Sequence, residues 1–162
     1  MSPEETLQHD MEARFPQLAG KIRIPKSHRI WVDVPQENFR EVFDFANKMK
    51  GFTYICTITG LDEGEYLAFI YHLAQPSGIV MNMKTRVPKA APILKTVTDV
   101  FPAAEFYERE LMDLLGARVE GLTPGKHYPL PDDWPAGQYP LRKDWKPEML
   151  DAGAPPKEGS NG

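Results

Sequence analysis

Half of the chain's 16 prolines lie between Pro124 and Pro156. Each proline fixes φ and removes a backbone donor, so neither a helix nor an internal strand can run through such a stretch. Regular structure has to come from the residues before it. The division this predicts is an α+β domain over residues 1–121, an extended tail over 122–150 and a mobile C-terminus over 151–162. The tail nevertheless carries Tyr128, Trp134, Tyr139 and Trp145. Disordered linkers are poor in aromatics. Prolines lower the cost of ordering a segment, and Trp and Tyr supply contact area, so the tail is suited to lying along a surface.

Before the tail, the periodicities alternate between helix and strand. Ser2, Pro3 and Glu5 make a capping box with proline at the first helical position, and Leu7, Met11 and Phe15 recur at helical spacing behind it. Ile22 and Ile24, then Ile30, Val32 and Val34, alternate with polar residues around a Pro25-Lys26-Ser27 turn, which predicts two strands. Phe39, Val42, Phe43, Ala46 and Met49 form a helical stripe closed by Gly51. Phe52 to Ile58, Tyr66 to Leu73 and Ile79 to Val87 read as three strands joined by short turns, an antiparallel meander. Ile93 to Val100 is expected as a short helix after Pro92, and a longer helix follows Pro102. The order β-β-α-β-β-β-α describes an α+β fold with helices on one face of a mainly antiparallel sheet.

The long helix ends in the densest stretch of the chain, Phe106 to Gly116. Tyr107, Leu111, Leu114 and Leu115 form its apolar stripe, and Gly116 is placed as a left-handed C-cap. Glu110 falls on the shoulder of that stripe near Asp113, and Arg109 on the far face. A carboxylate at the edge of a core is costly unless something pairs with it. Arg142 is the candidate within the chain, and cations of a neighbouring protein are the candidates outside it.

A search for chemistry removes whole classes of function. The net charge of −4 carries no nucleic-acid footprint. The single cysteine excludes an intrachain disulfide and fits an intracellular setting. The N-terminus is unlike a secretory signal, and no apolar run approaches the ~18 residues of a membrane span. There is no G-x-G-x-x-G, no Walker loop and no C-x-x-C, so no cluster is held by this chain alone. His9, His28, His72 and His127 are scattered without ligand spacing. Cys56 reads as a small buried hydrophobe, and Asp62, Glu63 and Glu65 as a solvated hairpin turn. Glu110 and Asp113 could serve acid–base work, but no nucleophile or base accompanies them. No catalytic, cofactor-binding or metal residue is assigned. That is the profile of a subunit, not of a free-standing enzyme.

Two motifs point to one family. Tyr107-Glu108-Arg109-Glu110-x-x-Asp113-Leu114-Leu115-Gly116 resembles the signature of the 30 kDa subunit of respiratory complex I, a component of NADH–quinone oxidoreductase. Pro140-Leu141-Arg142-Lys143-Asp144 resembles the family's second signature, and Thr96 to Pro102 is also similar to it. The resemblance covers about Ile30 to Trp145. It implies an α+β domain without a cofactor, whose C-terminal extension wraps a hydrogenase-like, 49 kDa-type large subunit. The same pair recurs in energy-converting membrane-bound nickel–iron hydrogenases and formate hydrogenlyase. Complex I members usually carry a segment like Gly-His-Pro-Asp-Leu-Arg-Arg between the motifs. Here Gly121-Leu122-Thr123-Pro124-Gly125-Lys126-His127-Tyr128 lacks the paired arginines. Gly60 to Glu65 and Leu130 to Trp134 look more like the hydrogenase branch.

The resemblance thus implies a non-catalytic peripheral-arm subunit, on the cytoplasmic face of a membrane, with no transmembrane segment. Its partners would be the large subunit, an iron–sulfur small subunit and, indirectly, membrane subunits. Iron–sulfur clusters, and nickel–iron in a hydrogenase, would sit in those partners. Glu108, Arg109, Glu110, Asp113, Trp134, Arg142, Lys143, Asp144 and Trp145 are the expected docking residues. Two alternatives stand beside this: the 30 kDa-type subunit of an NADH–quinone oxidoreductase (complex I), and a free-standing acid–base enzyme using Glu110 and Asp113.

Overall fold

The computed structural model describes residues 1–151, so the predicted C-terminus lies, apart from Asp151, outside the described residues. The elements run α1 (Pro3–Arg14), β1 (Ile22–Lys26), β2 (Arg29–Asp33), α2 (Phe39–Lys50), β3 (Tyr54–Asp62), β4 (Tyr66–Ala74), β5 (Val80–Pro88), β6 (Ile93–Lys95), α3 (Ala104–Leu115), β7 (Arg118–Glu120) and α4 (Glu148–Asp151). Between Gly121 and Pro147 there is no helix or strand, as the prolines dictate.

The main sheet has the order β1-β2-β5-β4-β3. All its pairings are antiparallel except β2 with β5, where Ile30 faces Met81 and Val32 faces Met83. The first hairpin therefore joins the meander across β5, and α2 makes the crossover. Residues of one period-2 set point to the core: Ile30, Val32, Leu67, Phe69, Tyr71, Leu73, Met81 and Met83 are all buried. The helices cover this face. Phe39 and Phe43 of α2 pack on the Tyr71 ring with centroids 4.6 and 5.8 Å away. Phe15, just after α1, meets Phe45 edge-on at 5.3 Å. Leu111 and Leu115 of α3 rest against the backbone of Gly60 in β3. Among the described residues no helix lies on the opposite face, where Arg23, Trp31, Asn82, His72 and Thr57 form a row across the strands.

The capping box of α1 forms: the Ser2 hydroxyl accepts from the Glu5 N–H at 3.2 Å, and Glu5 accepts from the Ser2 N–H at 2.6 Å. Four expectations fail here. Pro25 and Lys26 belong to β1, and the turn into β2 falls at Ser27 and His28. Ile93–Lys95 is a strand, paired parallel with β7. That segment is rich in β-branched residues, which lose rotamer freedom in a helix, and it finds a strand partner only after α3 has returned the chain. Met49 is 70% exposed, because it falls on the flank of the α2 stripe in the last turn. Cys56 is exposed. It lies on an edge strand, at a register shift between Ile55 and Thr57 that leaves it without a partner in β4.

Candidate docking surface

Helix α3 ends at Gly116, whose φ of 74° closes the helix in the left-handed region. A side chain there would be strained, and its Cβ would fall 2.6 Å from the Tyr139 ring. This glycine lets the tail lie down on the end of α3. Leu141 N–H donates to the Leu114 carbonyl at 2.9 Å, and Arg142 Nε donates to the Leu115 carbonyl at 2.7 Å. Two carbonyls left unpaired by the last helical turn are thereby satisfied, and a cation sits at the negative end of the helix dipole. The Arg142 guanidinium also lies over the Tyr139 ring, 4.7 Å from its centroid.

One turn earlier, Asp113 gathers the beginning of the tail. It is buried, and its two oxygens accept from Tyr128 N–H at 2.6 Å and Leu130 N–H at 3.2 Å and pair with His127 Nδ1 at 2.7 Å. Arg109 donates to Glu105 on its own helix and to the Thr123 carbonyl of the tail at 2.7 Å. Its side chain is only 11% exposed, because Gly125 passes directly over it. A Cβ on Gly125 would lie 2.6 Å from the guanidinium carbon. Arg109 is thus not on a free far face, as helical spacing implies; the tail covers it. Shallow clefts of about 330 and 430 Å³ flank the crossing, lined by Arg109 and His127.

The tail's far end is fixed to the sheet. Asp62, at the end of β3, accepts from Lys143 N–H at 2.8 Å, Lys89 Nζ at 2.7 Å and Gly64 N–H at 2.9 Å. Lys89 reaches on to Asp144 at 3.0 Å. Burial alone pushes the Asp62 carboxyl up. The ammonium and the two N–H donors outweigh it and hold the carboxyl at about 2. Asp62 is therefore a buried anchor, a correction to its reading as part of a solvated turn. Between the two ends, Trp134 and Trp145 stack with centroids 6.3 Å apart. Both indole N–H groups converge on Gln138, on its carbonyl at 2.8 Å and its amide oxygen at 2.7 Å.

Glu108 does a different job from the one its motif suggests. It is fully buried, and accepts from Val97 N–H and Thr96 Oγ1, both at 2.7 Å. It ties α3 to the turn after β6, inside the domain. Burial pushes its carboxyl up, with the two donors working against that. Glu110 is half-buried and makes no hydrogen bond or ion pair among the described residues. Arg142 does not reach Glu110 or Asp113, because it is spent on the helix carbonyl and Tyr139. Both oxygens of Asp113 are engaged by the tail, so Glu110 and Asp113 do not assemble as an acid–base pair.

Of the predicted docking residues, then, Arg109, Asp113 and Arg142 meet the tail at α3, Lys143 and Asp144 fix its far end at Asp62 and Lys89, Trp134 and Trp145 stiffen the tail, Glu110 is unengaged and Glu108 lies inside. Sequence reasoning missed Asp62, Lys89, His127 and Gln138. The link from Asp62 to Lys143 spans 81 residues, and no local pattern announces it. The cluster of His127 with the first tail aromatic, Tyr128, was the one available signal.

The fold is thus a one-sided α+β sheet with an ordered tail strapped over its last helix. The chain belongs to the family described as the respiratory-chain NADH dehydrogenase 30 Kd subunit, which matches residues 32–149. It is 31% identical to the membrane-bound hydrogenase subunit beta of Pyrococcus furiosus over 152 residues, covering 90% of this chain and 88% of that one. It is 34% identical to NADH-quinone oxidoreductase subunit 5 of Thermus thermophilus, covering 68% of this chain and 64% of that one. Its fold matches a chain in the structure of the membrane-bound sulfane sulfur reductase, an archaeal respiratory membrane complex. That match has a TM-score of 0.78 and 28% identity, and covers 91% of this chain and 88% of the other. The chain is a subunit of this group of membrane-bound hydrogenase and complex I-like oxidoreductase assemblies. Among the described residues no helix is long and apolar enough to cross a membrane.

Proposed function

We propose that this chain is a non-catalytic peripheral-arm subunit of an energy-converting nickel–iron hydrogenase, docked by its tail on the hydrogenase-like large subunit. The observation that carries the reading is the strapped tail. Residues 122–145 have no regular structure, yet Asp113, Asp62 and the α3 carbonyls hold them in one conformation. A preordered tail binds without a further ordering cost, and exposed Phe106 and Tyr128, 5.5 Å apart, offer an aromatic anchor at one end. Glu110, with no partner among the described residues, is the carboxylate left for a cation of the large subunit. Iron–sulfur clusters and nickel–iron would belong to partner subunits, and the chain would sit peripherally on the cytoplasmic face through them.

The absence of paired arginines from Gly121 to Tyr128 supports the hydrogenase branch, and coverage sets the chain apart from the Thermus quinone oxidoreductase subunit. The match to the hydrogenase subunit runs nearly end to end, whereas that to the Thermus quinone oxidoreductase subunit covers about two thirds of each chain. The 30 kDa-type subunit of a quinone-reducing complex is the second reading.

Co-purification tests both. Truncation after Gly121 is expected to leave a folded domain that no longer co-purifies with a large subunit; retained co-purification removes the tail's docking role. Glu110→Gln is expected to weaken assembly. Collapse of turnover in a fully assembled complex would instead give Glu110 a chemical role. Nickel in the purified assembly supports the hydrogenase branch, and its absence from an active quinone-reducing assembly supports the other.

A further inference from the structure

The five-stranded sheet has two edges, β1 and β3. A sheet edge presents unpaired N–H and C=O groups to any other extended chain, and proteins blunt such edges with short strands, charges and proline. The β1 edge is blunted in all these ways. It is five residues long, contains Arg23, Pro25 and Lys26, and shifts register between Arg23 and Lys26.

The β3 edge is not. It is nine residues long, and from Phe52 to Leu61 the chain has neither a charge nor a proline. Tyr54 and Leu61 are 59% and 42% exposed, and Cys56 and Thr57 are exposed between them. The backbone of Tyr54 to Leu61 bonds to β4 and, among the described residues, to nothing else. A row of alternating donors and acceptors selects one kind of occupant, an extended polypeptide backbone. The uncharged side chains around it select a segment that is itself uncharged. The far end of this strand is Asp62, which already holds the tail through Lys143. The open edge and the tail are therefore one continuous surface.

We propose that the β3 edge receives an extended, uncharged strand of the same large subunit on which the tail docks, enlarging the sheet from five strands to six. This rests on the docking role given to the tail above. The bond-forming groups are the backbone amides and carbonyls between Tyr54 and Leu61 that point away from β4.

Hydrogen–deuterium exchange on the full chain tests it, alone and in the complex with the co-expressed large subunit. The outward amides of β3 are expected to exchange rapidly in the isolated chain and at least tenfold more slowly in the complex, with β1 amides unchanged. Cys56 should be alkylated in the first state and protected in the second. Thr57→Lys, at an exposed site, is expected to leave the melting temperature of the isolated chain unchanged and to weaken assembly at least tenfold. An intact complex with unchanged β3 exchange overturns the inference while leaving the docking role in place. Protection that develops in the isolated chain as it dimerises overturns it in favour of a second copy. Failure of the complex to form at all overturns the docking role itself, and the inference with it.

Discussion

Glu108 and Asp113 stand on the same helix, five positions apart, and their environments have made them different devices. Glu108 points into the domain. It holds two donors of one neighbouring turn, and burial pushes its carboxyl up. Asp113 points to the tail and holds three groups from a segment without secondary structure. The first joint belongs to folding of the domain. The second decides whether residues 122–130 lie on the domain or leave it. A motif that reads as a single charged cluster is thus divided by helix geometry into an inside and an outside.

The largest break in this comparison is expected from Glu108→Ala. It leaves the Val97 N–H and the Thr96 hydroxyl unpaired and opens a cavity, which together cost about 3 kcal/mol of domain stability by chemical denaturation. Glu108→Gln, which keeps the shape and removes the buried charge, is expected to cost less than half of that. Equal losses would show that the charge, not the hydrogen bonding, holds the turn.

Asp113→Ala is expected to act on the tail. About 2 kcal/mol of tail fixation is lost, limited proteolysis opens within residues 122–130, and the melting temperature of the domain falls by only a few degrees. Domain unfolding on the scale of Glu108→Ala would erase the distinction between the two joints.

Acid separates the tail anchor Asp62 from the domain joint Glu108. Asp62 has a folded value of about 2 against an unfolded value near 4, so its contribution is present above about pH 4 and is lost as pH falls towards 2. Glu108 is raised, so its sign is opposite: its contribution is greatest below the unfolded value and is lost as pH rises through the folded one. Acidification down to pH 4 should leave the Lys143 amide resonance in place, whereas the Val97 resonance reports protonation of Glu108, which comes at a higher pH than for an ordinary glutamate. Below pH 4 the Lys143 resonance should move. Simultaneous movement of both would tie the joints into one unit. The smallest effect is expected from Arg142→Lys, which keeps the charge but loses the planar contact with Tyr139 and the Nε bond to Leu115, at a cost of about 1 kcal/mol or less.

Much of this was legible locally. The capping box at Ser2, the C-cap glycines at Gly51 and Gly116 and the three meander strands all follow from residue spacing within a turn or a strand. The parallel β2–β5 pairing, the β6–β7 sheet and the exposure of Cys56 were not legible, because each depends on which distant strand comes alongside. Among the residues that hold the tail, the sequence singled out Arg109, Asp113 and Arg142, but it offered Arg142 as the partner of the α3 carboxylates and left Arg109 on a far face. Carboxylate and guanidinium attract in any pattern reading, and Arg109 does pair with Glu105, but Asp113 and Arg142 are held by backbone N–H and C=O groups of the tail and the helix end.

The sequence by itself determined where the chain could be regular and where it could not, since φ/ψ preference, capping and proline act over a few residues. Tertiary structure alone decided which carboxylates face inward, which hold the tail and which edge of the sheet stays open among the described residues. Those outcomes depend on burial and on contacts as distant as Asp62 to Lys143. A carboxylate's partner is fixed by where the chain returns, and no short window of sequence contains that return.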